Sequence, residues 1–171
     1  MNFRKKLKNI KALVFDVDGV FSREFFVIEN EIFHRIMNAK DGFALKYANN
    51  KGFLTGIITG GTAEAVKERF MKLGVAEVYL GYTKKMQALN DFCTKNKLSY
   101  SDILYMGDDL PDYEVMKKVG FSACPSDAAM EIIEIAEYIS EKKGGEGCVR
   151  DIIEQVMKVQ EKWNVDDFKN T

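Results

Sequence analysis

Five aspartates, a threonine and a lysine stand in this sequence where they could carry out phosphoryl chemistry. Asp16-Val17-Asp18-Gly19-Val20 follows the apolar run Ala12-Leu13-Val14-Phe15. Thr59-Gly60-Gly61 follows the run from Phe53 to Ile58. Lys84 and Lys85 open a helical stretch after Val78 to Leu80, and Gly107-Asp108-Asp109-Leu110-Pro111-Asp112 follows Ile103 to Met106. Each piece alone has a blander reading: loop aspartates cap helices or form Asx turns, and a lysine pair at a helix start is ordinarily solvated. Together, and in this order, they specify a reaction. A phosphate ester and an attacking carboxylate are both anionic, so a hard divalent cation, magnesium by default, has to stand between them. Asp16 would attack phosphorus and form an aspartyl-phosphate. Asp18 would protonate the leaving oxygen and then deprotonate water. Thr59 and Lys85 would hold the phosphoryl oxygens. Asp16, Asp18 and Asp108 would ligate the metal, with Asp109 and Asp112 orienting ligands from outside.

The elements that must position these residues alternate. Continuous apolar runs mark strands buried on both faces of a parallel sheet. Between and after them the spacing predicts helices over Gly42–Asn49, Thr62–Leu73, Lys84–Lys95, Leu110–Val119, Ala128–Ala136 and Val149–Trp163. Strands alternating with helices imply βαβ units, and in such sheets ligands bind beyond the carboxyl ends of the strands. Residues 24–35 break the alternation: Phe25-Phe26-Val27-Ile28, the polar pair Glu29-Asn30, then Glu31-Ile32-Phe33 read as a β-hairpin. The expected fold is α/β, a Rossmann-like parallel sheet with helices on both faces and a hairpin insertion after the first strand. One domain is expected to span residues 1–171, with a tail over 144–171.

Composition narrows the partners. With 25 basic and 26 acidic residues, the net charge of -1 gives no reason to expect nucleic-acid or membrane-surface binding. The basic N-terminus (Arg4, Lys5, Lys6, Lys8, Lys11) reads as a solvated end, with no apolar stretch of a signal peptide after it. Cys93, Cys124 and Cys148 form no CxxC pair and read as reduced, buried thiols of a cytoplasmic protein. His34 is the one histidine, so neither a histidine zinc site nor a Ser-His-Asp triad has its parts.

These residues resemble the four motifs of the haloacid dehalogenase superfamily, in order: Asp16-Val17-Asp18-Gly19-Val20, Thr59, Lys85 and Gly107-Asp108-Asp109-x-x-Asp112. Within it the chain is similar to the small, capless phosphatases that act on 3-deoxy-D-manno-octulosonate 8-phosphate (KDO 8-phosphate). Lys40-Asp41-Gly42-Phe43 resembles that family's basic-Asp-Gly segment, and Gly144-Gly145-Glu146-Gly147-Cys148-Val149-Arg150-Asp151 its glycine-rich tail. The chain departs from the family at Ser22-Arg23-Glu24, where Thr-Asp-Gly is frequent, at Pro111, where Asn is common, and at Gly61, where many members carry a charged residue. The resemblance implies Mg2+, a small phosphorylated ulosonic acid as substrate, lipopolysaccharide sugar biosynthesis and a homotetramer. Gly61 would face the sugar. Lys40, Arg69, Lys72 and Arg150 are the candidates for its carboxylate.

About 40 residues separate Asp18 from Thr59, and 26 positions separate Thr59 from Lys85. Neither interval holds a folded cap, since independent domains rarely fall below about 40 to 50 residues. A neighbouring subunit would therefore close the site, through the apolar hairpin (Phe25, Phe26, Val27, Ile28, Ile32, Phe33) and the tail. Two alternatives remain at this point: a nine-carbon ulosonate substrate such as KDN 9-phosphate, and a signalling receiver domain. Receivers place their acidic pair first and the phosphoacceptor later, whereas here Asp-x-Asp comes first and the acidic pair follows the lysine.

Overall fold

The computed structural model of the chain describes residues 3–23, 27–29 and 32–168. Its strands are β1 (Ala12–Phe15), β2 (Val27–Glu29), β3 (Ile32–His34), β4 (Leu54–Ile58), β5 (Glu77–Tyr79), β6 (Ile103–Met106), β7 (Phe121–Cys124) and β8 (Tyr138–Ile139). Its helices are α1 (Phe3–Lys8), α2 (Ala39–Asn50), α3 (Glu64–Lys72), α4 (Lys85–Asn96), α5 (Tyr113–Lys118), α6 (Met130–Ile135) and α7 (Cys148–Val159). Six strands form one parallel sheet in the order β5-β4-β1-β6-β7-β8. β2 and β3 pair separately as an antiparallel hairpin, with Ile28 opposite Phe33.

The apolar runs form strands because both faces of the sheet are covered. β1 alternates between two cores. Leu13 and Phe15 join Leu45, Phe70, Ile153 and Val156 under α2, α3 and α7. Ala12 and Val14 join Leu89, Phe92, Val115 and Ile132 under α4, α5 and α6. β1 is central, with Val14 in register with Gly56 of β4 on one side and Tyr105 of β6 on the other. The chain leaves β1 toward β4 and leaves β6 toward β7. The crossovers thus diverge between β1 and β6, and a crevice opens there at the strands' carboxyl ends.

The α/β architecture and the hairpin match the sequence expectation, with differences of detail. β7 and β8 were not expected: Phe121-Ser122-Ala123-Cys124 is built mostly of small residues, and β8 is only two residues long. The N-terminus is not simply solvated, because α1 buries Leu7 in the core. α2 starts three residues earlier than predicted, capped by the Asn38 side chain, which accepts from Lys40 N–H. The predicted helix from Leu110 begins as a 3-10 turn over Leu110–Asp112, with Asp109 as its cap. β2 closes at Glu29 and β3 opens at Ile32. Glu24, Phe25, Phe26, Asn30 and Glu31, part of the hairpin expectation, lie outside the described residues. No helix of the described residues is long and apolar enough to cross a membrane.

Candidate active site

Each acidic motif leaves the sheet where a strand runs out of partners. The Asp16 N–H still donates to Met106 O at 3.0 Å, the last rung of the β1–β6 ladder. The chain then turns: Ser22 N–H returns to Val17 O, and Gly19 N–H to Ser22 O. Gly19 sits at φ +83°, and a Cβ there would overlap the Asp108 carboxylate. Glycine at this position therefore meets two demands, left-handed backbone and close approach of a second motif. On the β6 side, Asp112 reaches back to its own loop and accepts from Asp108 N–H at 3.2 Å.

The residues expected for chemistry meet in one cleft of about 670 Å³. Asp16, Asp18, Thr59, Gly61, Lys85, Asp108, Asp109 and Asp112 all line it. At its floor, Lys85 Nζ lies 2.9 Å from Asp16 Oδ2 and 2.7 Å from Asp112 Oδ1. A lysine in the first turn of a helix opposes the helix dipole, at a cost of about 0.3–1 kcal/mol. Two carboxylates more than offset that. Asp112 is fully buried and also accepts from Tyr105 Oη at 2.5 Å. Thr59 Oγ1 accepts from Gly61 N–H at 3.1 Å. Asp109 caps the following turn through Leu110 N–H.

Ligand oxygens of Asp16, Asp108 and Asp112 lie within 4.8 Å of one another, and Asp108 Oδ1 is buried with no hydrogen-bond partner. That is an expensive arrangement for protein alone. Burial pushes the Asp16 carboxyl from 3.8 up to about 7, with repulsion from Asp112 adding to it and Lys85 opposing. Burial, then Asp16 and Asp112, push Asp108 up to about 8. For Lys85, burial works against the charge, but Asp16 and Asp112 outweigh it and hold the ammonium above the ordinary lysine range. A hard divalent cation bound by Asp16 and Asp108 would satisfy the orphaned oxygen and remove the repulsion, so the donor set fits magnesium. Asp112 spends its oxygens on Lys85, Tyr105 and Asp108 N–H, which suits it to orienting the others rather than to direct ligation.

Other expected residues are placed differently. The Asp18 carboxylate stands outside the three-carboxylate cluster, held by Arg35 and Ser22. Of the substrate candidates, Gly61 lines the cleft, but Lys40, Arg69, Lys72 and Arg150 do not. α3 points its amino end at the cleft, so Arg69 and Lys72 in its last turn sit at the far end. Arg69 runs beside Gly42 of α2. Arg150 pairs with Glu154 at 2.7 Å and lies over the Phe43 and Trp163 rings. Lys40 is exposed at the start of α2.

Sequence reasoning missed Arg35, Tyr82, Thr83, Asp127 and Ala129. Asp127 follows β7, so recognising that strand would have brought it to the same rim. It lines the cleft and accepts from Gly144 N–H at 2.9 Å. The glycine-rich segment thereby docks on the loop that follows β1 in the same subunit, where Gly145 N–H donates to Val20 O at 2.8 Å.

Comparison with known proteins gives a consistent set of similarities. A family profile described as haloacid dehalogenase-like hydrolase matches residues 74–152. The 3-deoxy-D-manno-octulosonate 8-phosphate phosphatase of Escherichia coli is 34% identical over 160 residues, covering 92% of this chain and 84% of that one. The Yersinia pestis phosphatase of the same name has a crystal structure that superposes with a TM-score of 0.90 at 30% identity, covering 93% of this chain and 86% of that one. The Moraxella catarrhalis phosphatase, in complex with magnesium, phosphate and KDO, superposes with a TM-score of 0.90 at 31% identity, covering 96% and 94%.

Proposed function

This chain belongs to the 3-deoxy-D-manno-octulosonate 8-phosphate phosphatase family of haloacid dehalogenase-like hydrolases, and on that premise we propose that it hydrolyses KDO 8-phosphate to KDO and inorganic phosphate. The observation that carries the reading is the buried cluster of Asp16, Asp108 and Asp112 around Lys85, at the crevice where the sheet's crossovers diverge.

Asp16 and Asp108 would hold Mg2+. Bound there, the metal supplies the positive charge that lets a carboxylate approach an anionic phosphoryl group. Arg35 and Ser22 take two acceptor positions on Asp18 Oδ1 and one on Oδ2, so the remaining position on Oδ2 carries the Asp18 proton. Asp16 attacks phosphorus, the ester P–O bond breaks, and the leaving oxygen takes a proton from the Asp18 carboxyl. Water then attacks the aspartyl-phosphate. Asp18 accepts its proton, the P–O bond to Asp16 breaks, and phosphate leaves. Lys85 favours the ionised form of Asp16 against burial and aims it while holding a phosphoryl oxygen, and Thr59 binds another. Asp112 keeps Lys85 in place.

The chain acts in the cytoplasm, a reading supported by three free, buried cysteines. It assembles as a homotetramer in which a neighbour covers the open cleft. Supporting this, Ile36 beside the hairpin is 56% exposed and Phe43 on α2 is 44% exposed. A solution mass equal to one chain would overturn the assembly. The activity is tested by phosphate release from KDO 8-phosphate, with and without magnesium, for the wild type and Asp16→Asn. Release that needs magnesium and vanishes in the variant is expected. A higher kcat/KM on KDN 9-phosphate would move the assignment to the nine-carbon sugar.

A further inference from the structure

The carboxylate expected to do acid–base work has a dedicated holder. Arg35 follows β3, at the point where the hairpin rejoins the domain. Its Nε lies 2.6 Å from Asp18 Oδ1 and a terminal nitrogen lies 3.0 Å from Asp18 Oδ2. Ser22 Oγ donates to the same Oδ1 at 3.0 Å. Two parallel N–H bonds from one planar guanidinium fix both the distance and the plane of a carboxylate, which a lysine cannot do. The Arg35 side chain is 12% exposed and the Asp18 side chain 28%, so the pair is partly shielded from competing water and salt.

Gly61 provides the space. A Cβ at this position would lie 3.0 Å from the Arg35 terminal nitrogen, 3.4 Å from Thr59 Oγ1 and 3.7 Å from Asp18 Oδ2. The arginine reaches Asp18 by crossing a strand exit that carries no side chain. The hairpin is thereby tied to the reacting centre within one subunit.

We propose that Arg35 is the positioning residue for Asp18, with Gly61 keeping its path open. The inference rests on the phosphatase reading of the site. When Asp16 displaces a sugar alkoxide, the breaking P–O bond leaves its electron pair on the ester oxygen, which must receive the Asp18 proton as it departs. An Asp18 free to rotate would meet that oxygen in only part of its orientations. The guanidinium fork and Ser22 remove that freedom.

The test uses leaving groups of different need. A sugar alkoxide requires the proton, whereas p-nitrophenolate departs as a stable anion. kcat/KM reports the first bond-breaking step for both substrates. For Arg35→Gln, the loss in kcat/KM on the sugar phosphate should exceed the loss on p-nitrophenyl phosphate by at least about tenfold, a fraction of the roughly 100- to 10,000-fold that acid–base groups contribute. Arg35→Lys, which keeps the charge and loses the fork, should recover only part of the difference. Equal losses on the two substrates would assign Arg35 to phosphate binding or folding and overturn the proposal. Full sugar-phosphate activity in Arg35→Lys would also overturn it, because charge alone would then suffice. The phosphatase reading fails separately, through wild-type inactivity on the sugar or unchanged activity in Asp16→Asn. In that event any alkyl phosphate the wild type does cleave serves in the same ratio.

Discussion

Asp108→Asn should stabilise the metal-free protein at slightly alkaline pH while abolishing its activity. Burial, with help from Asp16 and Asp112, raises the Asp108 carboxyl from 3.8 to about 8. A carboxyl whose folded pKa lies above its unfolded value favours folding in its protonated form. That contribution is complete below about pH 4 and is lost as pH rises through about 8. At about 1.4 kcal/mol per unit, a shift of about four units caps the cost of ionised Asp108 at roughly 6 kcal/mol. Asp16 shares the same repulsion, so the two shifts do not add, and about 3 kcal/mol is the working figure. For a chain of this size, that is roughly 6–12 °C in Tm. The assay is thermal unfolding in EDTA at about pH 5 and about pH 8. The wild type should lose stability between the two and regain it with magnesium. The variant should lose less and gain little from the metal. An Asp108→Asn protein that melts at or below the wild type in EDTA at the higher pH would refute the reasoning. So would a wild-type Tm that does not fall between the two.

Three further outcomes follow from the same geometry. Lys85→Met leaves three buried carboxylates without their cation and should lower kcat by about 100- to 1,000-fold, with a Tm deficit in EDTA that grows with pH; kinetics and melting across pH check it. Gly19→Ala forces a Cβ into the Asp108 carboxylate at a left-handed backbone position, so magnesium affinity by titration calorimetry should fall at least about tenfold even where the fold survives. Asp41, fully buried between α2 and α7, has its carboxyl raised to about 6, chiefly by burial. Its stabilising contribution is full below about pH 4 and lost through about pH 6, so Asp41→Asn should gain on the wild type by up to roughly 3 kcal/mol in denaturant unfolding as pH rises past that window.

The residues that gather in the cleft were more legible in the sequence than the scaffold's edges. Asp16, Thr59 and Asp108 stood out because each follows an apolar run that forms a buried central strand, and Lys85 because it opens the helix after the half-buried edge strand β5, all at the rim where the crevice lies. β7 escaped because its residues are small and its burial comes from α5, α6 and β6 rather than from an apolar pattern of its own. With it went Asp127. Arg35 carried no local signal: one arginine after a short hairpin looks like any solvated charge until the fold brings it across Gly61. Lys40, Arg69, Lys72 and Arg150 show the converse. Their charge suited a sugar carboxylate, but helix direction and the contacts between α2 and α7 set them away from the cleft of their own subunit.

The proposed reaction turns on Asp16 taking the phosphoryl group. Acid-quenching a single turnover of substrate carrying radiolabelled phosphate, followed by peptide mapping, tests it most directly. Label on the peptide containing Asp16, absent from Asp16→Asn and lost as the delay before the quench is lengthened, is the predicted result. Phosphate release in Asp16→Asn at the wild-type rate, with no protein-bound label in either protein, would contradict it.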